Sequence, residues 1–462
     1  MILNEKKDKW SNVFEKITSI YIVLMLTIYL LYVGHEGYQN ITKVKFNMFC
    51  IISCIYLLLI ILLYVELLFI GQKKLSSLWS SLKTTSWTQK LVLVFFLFSL
   101  LSAIFSDNHS VAFKGGSRFE GLLTIAIYCI CFFATSIYGK PAKWQIYILG
   151  LSMTIFCCIS IIQLMGYNPF SLYPKGYNYF DGNVKYAGFY ISTVGNIDLA
   201  SALLCLTTPI FLIGVIRMSE KRKFFLLVPL ILCIIVTFAI KVQAGILGEV
   251  VGLILVMPVV LPVKTKIKKL LCVVILLFII LGIFLLWNYD FEGNETLFEA
   301  HELLHGNWED EYGTGRIYIW KNVINLIPEK LFLGGGPDTL LDRMATHFQR
   351  YDEKLDLTIY ALVDVAHNEY LNIIVNQGLF ALIFYLLALA SSAIRWVKNS
   401  TNIDAAICGS AVLCYCIQAF FGISMCITSI FFWLTLGLLE KSINVTRKEY
   451  KNEKRSKKAS IY

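Results

Sequence analysis

Apolar runs long enough to cross a bilayer dominate this chain, and short polar stretches interrupt them at regular intervals. Hydropathy marks about twelve spans, near residues 17–34, 46–70, 91–105, 121–137, 144–165, 197–216, 224–240, 244–262, 270–287, 379–396, 404–422 and 424–439. The last two are joined tightly enough to form one re-entrant hairpin instead. The first run follows Lys6, Lys7, Lys9 and Lys16 and has no small-residue cleavage site after it, so it is expected to stay as a span. One polar interval breaks the rhythm, from about Asn288 to Gln377. In it Ile317, Trp320, Val323, Ile324 and Ile327 fall at helical spacing, with Thr314 as N-cap and Pro328 beyond the end. Gly334–Asp338 reads as a turn, and Thr339–Tyr351 as a second, polar helix. A third helix starts near Asp364 as cap and runs through His367, Tyr370, Leu371 and Ile374 into the next span. His367 then lies in a first helical turn, where the macrodipole keeps an imidazole neutral.

Composition supports an all-α integral membrane protein. Of 462 residues, 57% are hydrophobic and 16% charged, with mean hydropathy +0.67. A soluble domain carries about a quarter charged residues. The formal charge of +10 reflects topology rather than nucleic-acid binding: of 41 Lys and Arg, 28 fall in segments on the side of the N-terminus and 13 on the other. Both termini are therefore expected in the cytoplasm, the long interval outside, and the basic tail against anionic lipid. The chain divides into a bundle over 1–287, an external segment over 288–378, further spans over 379–440 and the tail 441–462. All 13 cysteines lie in predicted spans and none in the long interval, which excludes an external disulfide framework.

Several candidates for chemistry remain. Tyr167, Tyr173, Tyr177, Tyr179, Tyr186 and Tyr190 crowd the polar stretch 166–196, as a sugar-stacking surface or an interfacial aromatic belt. His301-Glu302-Leu303-Leu304-His305 fits a zinc-protease pattern, but in an acidic context without an established helix or a third ligand. Within the spans, Glu66 and Glu249 are costly to bury, and Lys241 lies about two turns from Glu249 as an internal partner.

An ordered set of short signals resembles a known family. These are Arg118-Phe119-Glu120-Gly121, Gly195-Asn196-x-x-x-Ala200, Gly315-Arg316-x-x-x-Trp320, the Gly334–Pro337 turn, Ala366-His367-Asn368-Glu369-Tyr370-Leu371, Gly378-Leu379 and the closing Phe432-Trp433-x-x-x-Gly437-Leu438. Their order and spacing resemble the O-antigen ligase and polymerase superfamily, bacterial membrane glycosyltransferases of the GT-C type. The resemblance implies transfer of a glycan from a polyprenyl-pyrophosphate carrier to an acceptor sugar at the outer face of the cytoplasmic membrane, with neither metal nor nucleotide. It implies His367 as the base and Arg316 as a pyrophosphate clamp. Arg118, Trp320 and Asn368 are further candidates for the carrier or glycan. The family's middle-span arginine has no counterpart: Gln243 stands in its place, with Lys241 the nearest cation, lacking the guanidinium fork. Ligase and polymerase are not separable on these residues. About twelve spans also suit a transporter or flippase, which predicts broken spans with paired intramembrane charges.

Overall fold

A computed structural model of the protein describes residues 2–71, 85–180, 188–344, 347–352 and 357–459. Tyr186 lies outside them. Among the described residues ten helices are long and apolar enough to cross a membrane, and two shorter apolar ones accompany them. In chain order the helices are α1 (Ile2–Leu24), α2 (Ile41–Phe69), α3 (Trp87–Ile104), α4 (His109–Lys114), α5 (Leu122–Tyr138), α6 (Lys143–Leu164), α7 (Ile197–Arg217), α8 (Leu227–Ala239), α9 (Gln243–Val260) and α10 (Thr265–Asn288). They continue as α11 (Glu295–Leu304), α12 (Arg316–Leu326), α13 (Leu340–Arg343), α14 (Glu369–Asn399), α15 (Ile403–Gln418) and α16 (Cys426–Ala459). The protein is an all-α multi-pass membrane protein, and a helix lies at each of the twelve expected spans. Gln418 and Cys426 bound a break between α15 and α16, so the last two spans are separate helices.

The bundle is built around α7 and α16, the most enclosed spans, whereas α10 is open along its length. At one end Arg217 closes the bundle by donating to the carbonyls of Val260, Ser400 and Thr401. The opposite end gathers the described parts of the polar segments, 34–40, 106–121, 166–180, 188–196, 240–242, 289–344 and 357–368.

The long interval differs from the expectation in three places. Helix α12 has Gly315, in a left-handed conformation at φ +83°, where Thr314 was expected to cap it. The polar helix expected over Thr339–Tyr351 is limited to α13. It gives way to an antiparallel hairpin of β1 (His347–Asp352) and β2 (Leu357–Leu362), with His347 opposite Leu362. Finally, α14 starts at Glu369 with Asn368 as its cap, the Asn368 side chain accepting from the Leu371 N–H, so Asp364 is not a cap and His367 precedes the helix.

The interval is stapled to the bundle through a break in α14. Gly378 (φ +89°) kinks that helix and frees the carbonyls of Val375 and Asn376. The Gly335 N–H donates to Val375 (3.1 Å) and the Gly336 N–H to Asn376 (2.7 Å), while the Leu379 N–H returns to Leu331 (2.8 Å). Ser102 and Arg343 add donors to the same two carbonyls. Ile319, Val323, Leu340, Met344, Val363, Ala366 and Val375 form a small core beneath the staple.

Candidate active site

The residue before α14 is the focus of the site. His367 holds a left-handed backbone at φ +48°, rare for a side chain of its size. Two contacts fix the chain on either side. The Trp320 indole N–H donates to the Ala366 carbonyl (2.9 Å), with its ring against Phe420 and Phe421. On the other side the Glu369 N–H donates to Ala419 (2.9 Å). The buried Nδ1 of His367 has no hydrogen-bond partner among the described residues.

Arg316, the first residue of α12, faces the same space. Its guanidinium donates to the Gly313 carbonyl (2.9 Å) and to Thr314 Oγ (2.6 Å). Its far nitrogen lies 3.8 Å from Asp198 Oδ1, and its Nε is buried without a partner among the described residues. Asp198 is held in the first turn of α7, where Asn196 caps the helix by accepting from the Asp198 and Leu199 N–H groups.

The second arginine is already engaged. Asp364 takes Arg118 in a two-pronged contact, Nε to Oδ2 and the terminal nitrogen to Oδ1, both 2.9 Å, and also accepts from Ser117 (2.7 Å). Asp338 fixes the same loop by accepting from the Gly116 N–H (2.6 Å) and the Glu120 N–H (3.1 Å). Burial would raise Asp364, but the charge and hydrogen bonds of Arg118, the Ser117 hydroxyl and the charge of His367 outweigh it and hold the carboxyl below its usual range. Asp338 goes the other way: burial pushes it up to about 6, against the two backbone donors.

Four charged side chains act electrostatically on His367: Asp198, Arg316, Arg118 and Asp364. Burial lowers the imidazole to about 4, Asp198 and Asp364 oppose the change, and the two arginines reinforce it. The imidazole is neutral because it is desolvated beside cations; the helix-turn argument does not apply at this position.

The other candidates lie as follows. Lys241 (φ +55°) and Gln243 are exposed at the start of α9, where Gly245 packs so tightly on α7 that a Cβ would lie 2.1 Å from Ser201 Oγ. Ser201 is one turn from Asp198, so Lys241 and Gln243 belong to the same end of the bundle as the site. Glu249 is bonded by Thr237 (2.9 Å) rather than by Lys241. Asn368 spends its side-chain oxygen on the helix cap, and Trp320 serves the Ala366 carbonyl. His301 does lie on a helix, α11, and His305 is the residue that ends it, but His301 Nδ1 meets the Leu286 carbonyl (2.7 Å) and His305 Nδ1 the His301 carbonyl (2.9 Å). No group of three metal-ligating side chains occurs among the described residues.

Residues 228–386 match the family model described as O-antigen ligase. That stretch is similar to the O-antigen ligase superfamily. The matched stretch runs from α8 through the long interval into α14, and so contains Arg316, Trp320, the glycine staple and His367. A search of curated proteins finds no match. Asp198 and Arg118 lie outside the matched stretch, yet both reach its side chains by contact. Of the charged groups at the site, Asp198, Asp338 and Asp364 were not singled out by sequence reasoning as site residues. Their signal was proximity: Asp198 lies inside the Gly195–Ala200 signal, Asp338 ends the glycine turn, and Asp364 sits three residues before His367.

Proposed function

We propose that this protein is a glycosyltransferase of the cytoplasmic membrane, transferring a glycan from a polyprenyl-pyrophosphate carrier to an acceptor sugar at the outer face. The observation that carries this reading is the pairing, across separate segments, of a neutral imidazole whose buried Nδ1 has no partner among the described residues with a fixed guanidinium. His367 takes the proton of the acceptor hydroxyl. The acceptor oxygen bonds to the anomeric carbon as the bond from that carbon to the phosphate oxygen breaks, and the electron pair leaves with the pyrophosphate. Arg316 stabilises the charge gathering there, as a guanidinium suits phosphate. Lys241, exposed at the same end, adds a cation without a fork, beside Gln243. Arg118 acts through Asp364 as a support for the His367 loop, and Trp320 and Asn368 as supports for its backbone.

The reaction as written needs no metal. The excess of Lys and Arg on the side of the N-terminus argues for cytoplasmic termini and an external site, where a flipped lipid-linked donor and the acceptor meet. The test is transfer in proteoliposomes from a polyprenyl-pyrophosphate glycan with EDTA present. Wild type turns over, and His367→Ala and Arg316→Ala each lose activity by about 10²-fold or more at equal protein. Abolition of wild-type turnover by EDTA, restored by Zn²⁺ or Mg²⁺, would overturn the metal-free mechanism. Undiminished turnover in His367→Ala would remove it as the base.

A further inference from the structure

The two carboxylates beside His367 are not equivalent. Asp364 is saturated: both its oxygens are taken by the Arg118 fork and one also by Ser117. Asp198 has a single charged partner among the described residues, Arg316, at the long distance of 3.8 Å, and its side chain is only 18% exposed. The ordinary explanation is an acidic side chain in the first turn of a helix, favoured by the macrodipole. That accounts for its place in α7 but not for two buried nitrogens without partners among the described residues, His367 Nδ1 and Arg316 Nε. An unpaired buried polar atom is costly, and a ligand or a rearrangement is the usual remedy.

We infer that Asp198 is a positioning residue that changes partner during the reaction, facing Arg316 before the donor arrives and serving the His367 imidazolium once a pyrophosphate has taken the guanidinium. This rests on the reading that Arg316 binds pyrophosphate and His367 is the base. The groups facing His367 come from four segments: Asp198 on α7, Arg316 on α12, Arg118 in the loop before α5, and Asp364 between β2 and α14. Arg118 and Asp364 neutralise each other and stay bonded. What varies is the Arg316–Asp198 pair. While it is intact, its charges largely cancel at His367 and desolvation leaves the imidazole a weak base. A pyrophosphate brings negative charge, engages Arg316 and leaves Asp198 uncompensated, and an uncompensated carboxylate acting on the ring favours its protonated form. The base thereby gains strength only with the donor in place, and the acceptor is deprotonated only when there is something for it to attack.

The consequence is measurable without turnover: donor binding takes up a proton. Farnesyl pyrophosphate is titrated calorimetrically into the full chain in detergent near pH 6, in buffers of different ionisation enthalpy, which reads protons bound per ligand. Wild type takes up about half a proton or more beyond His367→Asn, which serves as the baseline for the ligand's own titration. Asp198→Asn loses most of that excess, and Asp198→Glu restores it. In the transfer assay Asp198→Asn lowers kcat about 10-fold or more with donor KM changed less than 3-fold, whereas a purely structural role would move both with folding. Equal proton uptake in wild type and Asp198→Asn, with both binding farnesyl pyrophosphate, would overturn the partner exchange and leave the pyrophosphate site standing. No binding by wild type would overturn the pyrophosphate site itself, and the exchange with it.

Discussion

Asp364 shows how one side chain can connect two segments at the site. It holds Arg118 and Ser117 of the loop before α5 while lying three residues from His367, and it is mostly shielded, at 19% side-chain exposure. Asp364→Asn should cost about 2 kcal/mol or more of stability, because it leaves the guanidinium without its charge partner. Thermal unfolding in detergent reads this. Since the folded carboxyl lies below its unfolded value, its contribution is present at neutral pH and above. It fades as pH falls below the usual carboxylate range near 4. The gap in midpoint between wild type and Asp364→Asn should therefore narrow on acidification and be constant between pH 6 and 8. At this scale the sequence was partly legible. His367 and Arg316 carry recognisable neighbours, but Asp364 looked like a helix cap, since an acidic residue before an apolar helix has that ordinary use. Only the distant Arg118 reveals its other use.

Among the elements, the glycine turn at 334–336 and the kinked helix α14 depend on each other. Gly334 has φ +67°, and a Cβ there would lie 2.4 Å from the Asn376 carbonyl carbon; one at Gly378 would lie 2.2 Å from the Phe332 carbonyl oxygen. Neither obstacle is a flexible side chain. Gly334→Ala should destabilise by about 2 kcal/mol or more, through both strain and lost contact, and lower transfer at temperatures where the variant remains folded. Thermal midpoint and transfer rate check the two parts. A midpoint equal to wild type would mean the staple is not built as described. The spans were legible because twelve apolar runs leave little choice inside a bilayer, where every backbone group must be bonded within its own helix. The hairpin β1–β2 was not. Thr339–Tyr351 contains good helix formers, and the strand state of His347–Asp352 depends on pairing with Leu357–Leu362, which lies beyond the stretch that reads as a helix. Gly315 displaced Thr314 as the cap of α12 because a left-handed residue there suits glycine.

For the whole molecule, the polar segments collect at one end and Lys and Arg concentrate at the other. We expect Asn307→Cys, in the exposed stretch after α11, to react with an impermeant thiol reagent on intact cells. Lys221→Cys, exposed before α8, should react only after permeabilisation. The native cysteines give the background, to be subtracted with unsubstituted protein. The reverse pattern would place the site on the cytoplasmic side and remove the flipped donor from the account.

The central claim is that His367 is the base, held neutral by desolvation among charged groups before the donor binds. The most direct measurement is the pH dependence of kcat/KM for transfer, which reports the free enzyme. With the imidazole at about 4 before the donor binds, wild-type kcat/KM should rise through that region and be level by about pH 6. His367→Ala should lie about 10²–10⁴-fold lower, with that rise gone. A rise that persists unchanged in His367→Ala would mean that another group takes the proton, and the assignment of the site would fail.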